Sequence, residues 1–268
     1  MDLKMTDRTQ FVRSLAEEAA QLALKLRRDQ GADFIQAKGH QDFVTFADRA
    51  VEELIRARIE EAFPGEDVLG EEEGQTGDGP RLWVVDPIDG TANYMRGGAD
   101  WAVSIAYAED GVLRHAAICA PELDVTIWSE KGAGSWTRHD GQERALALST
   151  CDDVRAGTLM LGWSGRQPVP SHLETIQNAL GAGMEYRRNG SAVISLLAVA
   201  MGRAEGYWER YVNPWDVFAM WLILEEAGAV IETLPVLDYI GSPKHFLAMV
   251  PQLETELRAI VGTLPPVD

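Results

Sequence analysis

Apolar residues recur at Phe11, Val12, Leu15, Ala19, Leu22 and Leu26, a spacing of three and four that predicts a long amphipathic helix ending near Gly31. A second helix carries Val51, Leu54, Ile55, Ile59 and Phe63 and is stopped by Pro64-Gly65. The pattern then changes. Leu82-Trp83-Val84-Val85 is a short aromatic and β-branched run that predicts a buried strand, and Trp101 to Ala108 with Val112 to Cys119 flank Glu109-Asp110-Gly111 as an antiparallel hairpin. Val125 to Trp128 continues the sheet, and Gly132 to Trp136 supplies another turn and strand. The first part therefore reads as two helices stacked on a largely antiparallel sheet.

Beyond a junction near Ser149 to Asp153 the alternation is α/β: strand 158–161, helix 171–180, strand 184–186, helix 191–201, strand 204–208 and helix 214–227, ended by Gly228. Strands at Val230-Ile231 and Phe246 to Val250 precede a terminal helix. The expected organisation is an α+β subdomain over residues 1–150 and an α/β subdomain over 151–268.

Composition narrows the function classes. An apolar fraction of 46% over 268 residues is ample for a core, whereas a net charge of −18 disfavours direct nucleic-acid binding. Arg187-Arg188 is the only tight basic pair of the second half. The longest apolar stretch, Ala192 to Met201, is far shorter than the ~20 residues that cross a bilayer. Two cysteines, Cys119 and Cys151, and an amino terminus without an apolar signal core make the cytoplasm the expected location. His40, His115, His139, His172 and His245 are scattered without zinc-ligand spacing, so oxygen ligands and magnesium or manganese are expected.

The chemistry is concentrated in Asp86-Pro87-Ile88-Asp89-Gly90-Thr91, which leaves the predicted strand directly. Two carboxylates at a strand's carboxyl end sit where open α/β sheets present their ligands, and Gly90 with Thr91 can start a helix whose amides face an anion. Asp-Pro and Asp-Gly are also ordinary turn formers. The other acids carry the same ambiguity. Asp48 is either the acid of a Thr45-x-x-Asp48 capping box or a base near a cleft. Gly70-Glu71-Glu72-Glu73-Gly74 is either a solvated turn or a source of one metal ligand. Asn213-Pro214-Trp215-Asp216 is fully explained as a helix start, yet the same geometry holds a carboxylate rigidly. Gly162-Trp163-Ser164-Gly165 is not a nucleophile elbow, and Ser164 reads as a loop residue.

Taken together, Gly70-Glu71-Glu72, Asp86 to Thr91 and Trp215-Asp216 resemble the signature of the inositol monophosphatase family, over most of the chain. Asp42 to Thr45 with Asp48, Gly190-Ser191-Ala192, Gly202-Arg203 and Tyr207-Trp208-Glu209 are similar to further family segments in the same order. The resemblance implies a layered αβαβα sandwich, commonly a homodimer, that hydrolyses phosphate monoesters with two or three Mg²⁺ ions and is often inhibited by lithium. It implies Glu71, Asp86, the Ile88 carbonyl, Asp89 and Asp216 as metal ligands, with Asp48, Glu71 and Thr91 activating a water. Substrate contacts would come from Ile88, Asp89, Gly90 and Thr91 toward phosphate and from Gly190, Ser191, Ala192, Glu209 and Asp216 toward the alcohol.

The implied substrate is inositol monophosphate or a related small polyol or sugar phosphate, because Glu209 can accept hydrogen bonds from vicinal hydroxyls. An acid there equally suits the amine of histidinol phosphate, and fructose 1,6-bisphosphate and nucleoside 3′,5′-bisphosphates stay open. Phe218 departs from the small residue that the family pattern places after the Trp-Asp pair. A haloacid-dehalogenase phosphatase is disfavoured, since its aspartates stand two apart and Asp86 and Asp89 stand three apart. A reading of another class is a partner-binding regulatory protein of the RNA machinery.

Overall fold

The computed structural model describes residues 7–29, 35–39 and 42–264, with side chains over 7–29 and 46–264, so the predicted helix end at Gly31 and His40 lie outside it. The described elements run α1 (Asp7–Asp29), β1 (Ile35–Gly39), β2 (Asp42–Thr45), α2 (Phe46–Ala62), β3 (Asp67–Gly70), β4 (Gly74–Gln75), β5 (Arg81–Asp89) and α3 (Thr91–Met95). They continue with β6 (Ala102–Glu109), β7 (Val112–Ala120), β8 (Val125–Glu130), β9 (Gly134–His139), β10 (Gln142–Ala145), β11 (Thr158–Leu161), α4 (Val169–Gly181) and β12 (Glu185–Arg187). The last are α5 (Ala192–Ala200), β13 (Gly206–Val212), α6 (Pro214–Glu226), β14 (Val230–Glu232), β15 (Lys244–Met249) and α7 (Glu254–Val261).

Two large sheets carry the fold. One has eight strands in the order β10-β9-β8-β7-β6-β5-β3-β4, the other five in the order β12-β11-β13-β15-β14. The hairpin β6–β7 turns at Asp110 (φ 52°) and Gly111 (φ 72°), the doubly left-handed turn that matches strand twist. Pairing across the first sheet is antiparallel except between β3 and β5, which run parallel with Gly70 opposite Val85. That exception brings the end of β3, and the acidic turn after it, beside the end of β5.

The layers follow from which faces are apolar. α1 and α2 cover one face of the first sheet through Val12, Leu15, Val51 and Ile55, against Trp83, Val85 and Ile105. α5 and α6 lie between the two sheets, and α4 with α7 close the outer face of the second. A helix caught between two sheets must be apolar all round, and α6 is so over Val217 to Leu224, where Val217, Phe218, Met220, Leu222 and Ile223 are all buried. Phe218 belongs to this middle layer, edge-on to Trp221 and Tyr239. The layered αβαβα architecture expected from the resemblance is the one observed.

Candidate active site

The Asp86–Thr91 turn is built by the end of β5. β5 and β6 are in register through Asp86 and Ser104, then slip before Asp89 meets Ala102, and Pro87, which has no amide hydrogen to donate, lies in the slip. The Ile88 amide donates to Asp86 Oδ1 at 3.0 Å, folding the carboxylate back over its own turn. Gly90 has φ 92°, and a Cβ there would stand 2.6 Å from the Asp100 carbonyl oxygen, so only glycine fits.

Asp48, fully buried in the first turn of α2, meets this turn from the helical layer. Thr91 Oγ1 stands 3.2 Å from Asp48 Oδ1 and 3.1 Å from the Ile88 carbonyl. One hydroxyl hydrogen serves only one of them, which leaves the Thr91 lone pairs for an outside donor. Glu71 follows Gly70, so the parallel β3–β5 register sets it abreast of Asp86, and its charge helps raise the Asp86 pKa.

The second half of the chain closes the site. Asp89 Oδ2 accepts from the Ser191 hydroxyl and from the Val193 amide (2.9 Å), so the β5 carboxylate sits on the N-terminus of α5. Ser191 caps that helix by accepting from the Ile194 amide at 3.0 Å, and Gly190 precedes it with φ 84°. Asp216 Oδ2 accepts from the Asn213 amide at 2.7 Å, the helix-start geometry read from the sequence, and from the Asn213 side chain at 3.2 Å. The helix-start role leaves Asp216 able to meet the other acids: one oxygen of Asp86, Asp89 and Asp216 each can be chosen so that all three lie within 4.8 Å of one another, a grouping that could hold a metal ion.

A cavity of about 160 Å³ opens beside this cluster, lined by Asp89, Ser191, Ala192, Glu209 and Asp216 together with Arg188. Cavities of similar volume hold a single six-membered ring. Glu209 Oε2 accepts from the Tyr207 hydroxyl at 2.6 Å, and burial pushes its carboxyl up to about 8. Burial likewise raises Asp89 to about 6, and Asp216 to about 7 with help from the Asp89 charge. Asp86 is raised well above the usual carboxylate range by burial and then by Glu71, Asp89, Asp216 and Asp48. This collection of acids resists ionising on its own, and its all-oxygen donor set fits a hard divalent cation.

Comparison with known proteins gives the family of the chain. The sequence model of the inositol monophosphatase family matches residues 4–247. The chain belongs to the inositol monophosphatase family. An inositol-1-monophosphatase of Rhizobium meliloti is 35% identical over 196 residues, covering 72% of this chain and 73% of that one. A Nus factor SuhB of Xylella fastidiosa is 34% identical over 196 residues, covering 72% and 70%. The solved structure of an IMPase from Thermotoga maritima superposes with a TM-score of 0.82 at 26% identity, over 96% of this chain and 97% of that one. Membership makes this inositol monophosphatase family protein a phosphomonoesterase.

The structure adds contacts that the order of residues does not supply. Both hydrogens of Asn93 Nδ2 are used, on the Asp100 and Asn189 carbonyls at 2.8 Å each, which ties α3 to the segment that carries Gly190 and Ser191. Gly162 is needed because a Cβ would overlap the Glu209 carboxylate, a signal hidden in a glycine that reads as an ordinary loop residue. His139 comes together with Asp124 and Asp140 at the surface, a grouping that exposed acids often form without an ion.

Proposed function

We propose that this protein hydrolyses inositol monophosphate or a related small polyol or sugar phosphate with Mg²⁺. The observation that carries the reading is the convergence of Asp86 and Asp89 from the end of β5 with Asp216 from the first turn of α6, beside a ring-sized cavity walled by Glu209. Glu71, Asp86, the Ile88 carbonyl, Asp89 and Asp216 would hold two or three Mg²⁺ ions, with Mn²⁺ the closest substitute. Bound there, Mg²⁺ lowers the pKa of water and offsets the charge of the phosphate dianion.

The chain's own groups orient the reactants. Thr91 Oγ1, its hydrogen directed to Asp48 Oδ1, accepts a hydrogen bond from the attacking water; as the hydroxyl takes the water's proton it gives its own to the Asp48 carboxylate. The amides of Gly90 and Thr91 donate to phosphate oxygens. Glu209 with Asp216 receives the hydroxyls of the alcohol, while Gly190, Ser191 and Ala192 form the adjoining wall. We further propose a division of labour near residue 150, supported by the change from the sheet that ends at Ala145 to the sheet that begins at Thr158. Homodimer formation, lithium sensitivity and a cytoplasmic location complete the reading; no helix among the described residues is long and apolar enough to cross a membrane.

The test is phosphate release from inositol 1-phosphate, fructose 1,6-bisphosphate, histidinol phosphate and adenosine 3′,5′-bisphosphate, with and without Mg²⁺ and lithium. Mg²⁺-dependent release with preference for a polyol or sugar phosphate is expected; release independent of Mg²⁺ would refute it. Relatives that carry the name Nus factor SuhB support a second reading, binding to a protein partner of the RNA machinery. A partner retained by both the parent and Asp86→Asn would establish that role separately from hydrolysis.

A further inference from the structure

α2 presents Asp48, Glu52 and Arg56 at intervals of four, one stripe of the helix turned toward the ends of β3 and β5. Asp48 reaches Thr91. Glu52, four residues on, is a fully buried carboxylate that does not line the cavity. Both of its oxygens are engaged by the turn after β3: Oε2 accepts from the Glu72 amide at 2.8 Å and Oε1 from the Glu73 amide at 3.0 Å. A Cβ on Gly70 would overlap the Glu52 carboxylate, so the chain on the other side of Glu71 is fitted to it as well.

Arg56 supplies the balancing charge. Its Nε and Nη2 reach Glu52 Oε1 at 2.9 and 2.8 Å, and Nε lies 3.4 Å from Glu73. Nη1 donates to the Val68 carbonyl on β3 at 3.3 Å and Nη2 to the Gly74 carbonyl on β4 at 2.6 Å, so the guanidinium bridges the two strands that bracket the turn. A turn of three consecutive glutamates repels itself. Here two of its amides are clamped to a fourth carboxylate, and one guanidinium offsets the assembly.

We propose that Glu52 and Arg56 are a positioning pair that holds the turn carrying Glu71 and thereby sets the affinity of the site for Mg²⁺. The inference rests on Glu71 serving the site as proposed above. Groups that orient metal ligands typically change affinity about 10- to 100-fold when removed. Glu52→Gln sets an amide donor against the backbone donors of the turn and removes the charge that Arg56 answers. Arg56→Lys keeps the charge and loses the fork.

Mg²⁺ binding to the purified full chain is measured by titration calorimetry, alongside thermal melting in EDTA. The control is Glu205→Gln, which disrupts another buried carboxylate, bonded to Ser149 Oγ at 2.7 Å and to the Thr158 amide at 2.6 Å, in the second half of the chain. We expect Glu52→Gln to bind Mg²⁺ about tenfold or more weakly, Arg56→Lys to weaken binding in the same direction, and Glu205→Gln to bind like the parent even where its melting temperature falls as far. Parental affinity in folded Glu52→Gln overturns the proposal. If Glu52→Gln does not fold, Arg56→Lys decides by the same criterion. Glu71→Gln separates the two readings: weakened binding there with parental affinity in Glu52→Gln defeats the positioning pair alone, whereas parental affinity in Glu71→Gln, or a parent that binds no Mg²⁺, defeats the site reading and the pair with it.

Discussion

Glu66, just before β3, and the Asp86 cluster at the end of β5 both bury carboxylates, yet they meet the cost of burial from opposite directions. Glu66 accepts from Arg8 at 2.7 and 3.0 Å and from the Trp83 indole at 2.8 Å, and Arg8 is itself held over the rings of Phe63 and Tyr107 at 3.9 and 4.1 Å. Every positive charge this carboxylate needs is covalently part of the chain. Asp86, Asp89 and Asp216 face one another instead, and their carboxyls climb above the usual range. The difference teaches that a buried acid supplied with a guanidinium is an element of the fold, whereas three acids supplied only with each other form a grouping that could hold a cation from outside.

The comparison breaks most visibly under neutralisation of the cluster. Asp89→Asn and Asp216→Asn should each lower kcat/KM about 10³-fold, equivalent to about 4 kcal/mol, while the metal-free variants melt no lower than the parent. Steady-state kinetics and calorimetry on the same preparations check both halves; parental turnover in both variants sinks the ligand assignment. Mg²⁺ at one hundred times its dissociation constant should stabilise the parent by about 2.7 kcal/mol, visible as a rise in Tm, and should barely move Asp86→Asn.

The self-sufficient pair responds differently. Arg8→Met should cost about 2 kcal/mol, because it leaves Glu66 buried with less than its full set of donors, and the Mg²⁺ dependence of the folded fraction should match the parent. An altered Mg²⁺ requirement would show that the two regions are not independent.

The smallest expected effect is a pH slope. Metal-free Asp216 and Glu209 hold their protons to about 7 and 8, above the ordinary carboxylate range of about 4. Between these limits the folded chain therefore binds more protons than the unfolded chain, and stability falls as pH rises through that window. In EDTA the protein should melt at lower temperature at pH 8.5 than at pH 6, and Asp216→Asn should flatten the slope. A melting temperature that rises with pH over this range would contradict the raised pKa values.

Much of the architecture was legible because periodicity survives without neighbours. The strand predicted at Thr158 to Leu161 is β11 residue for residue, the helix begun by Asn213-Pro214 runs to Glu226, and the Asp110-Gly111 turn closes the predicted hairpin. Elements whose pairing depends on remote chain were not legible. β3 is four residues long and β4 two; β3 pairs with β5 and β4 with β3, and Arg56 donates to the Val68 and Gly74 carbonyls. β10 is exposed at every position along a sheet edge, so it has no apolar alternation to betray it.

The candidate site divides along the same line. Residue types and order alone determined that acids stand at a strand end, in a glycine-bounded turn and at a helix start, and that the chain resembles a metal-dependent phosphatase family. They left Asp48 and Asp216 equally explained as helix-end residues, since a cap and a ligand use the same side chain at the same place. Only the tertiary structure decided that Asp216 meets Asp86 and Asp89, that Asp48 meets Thr91, and that Gly162 makes room for Glu209. The physical reason is one of range. Turn and cap preferences are set within a few residues of chain, whereas mutual repulsion among buried carboxylates exists only after two sheets and the helices between them have packed.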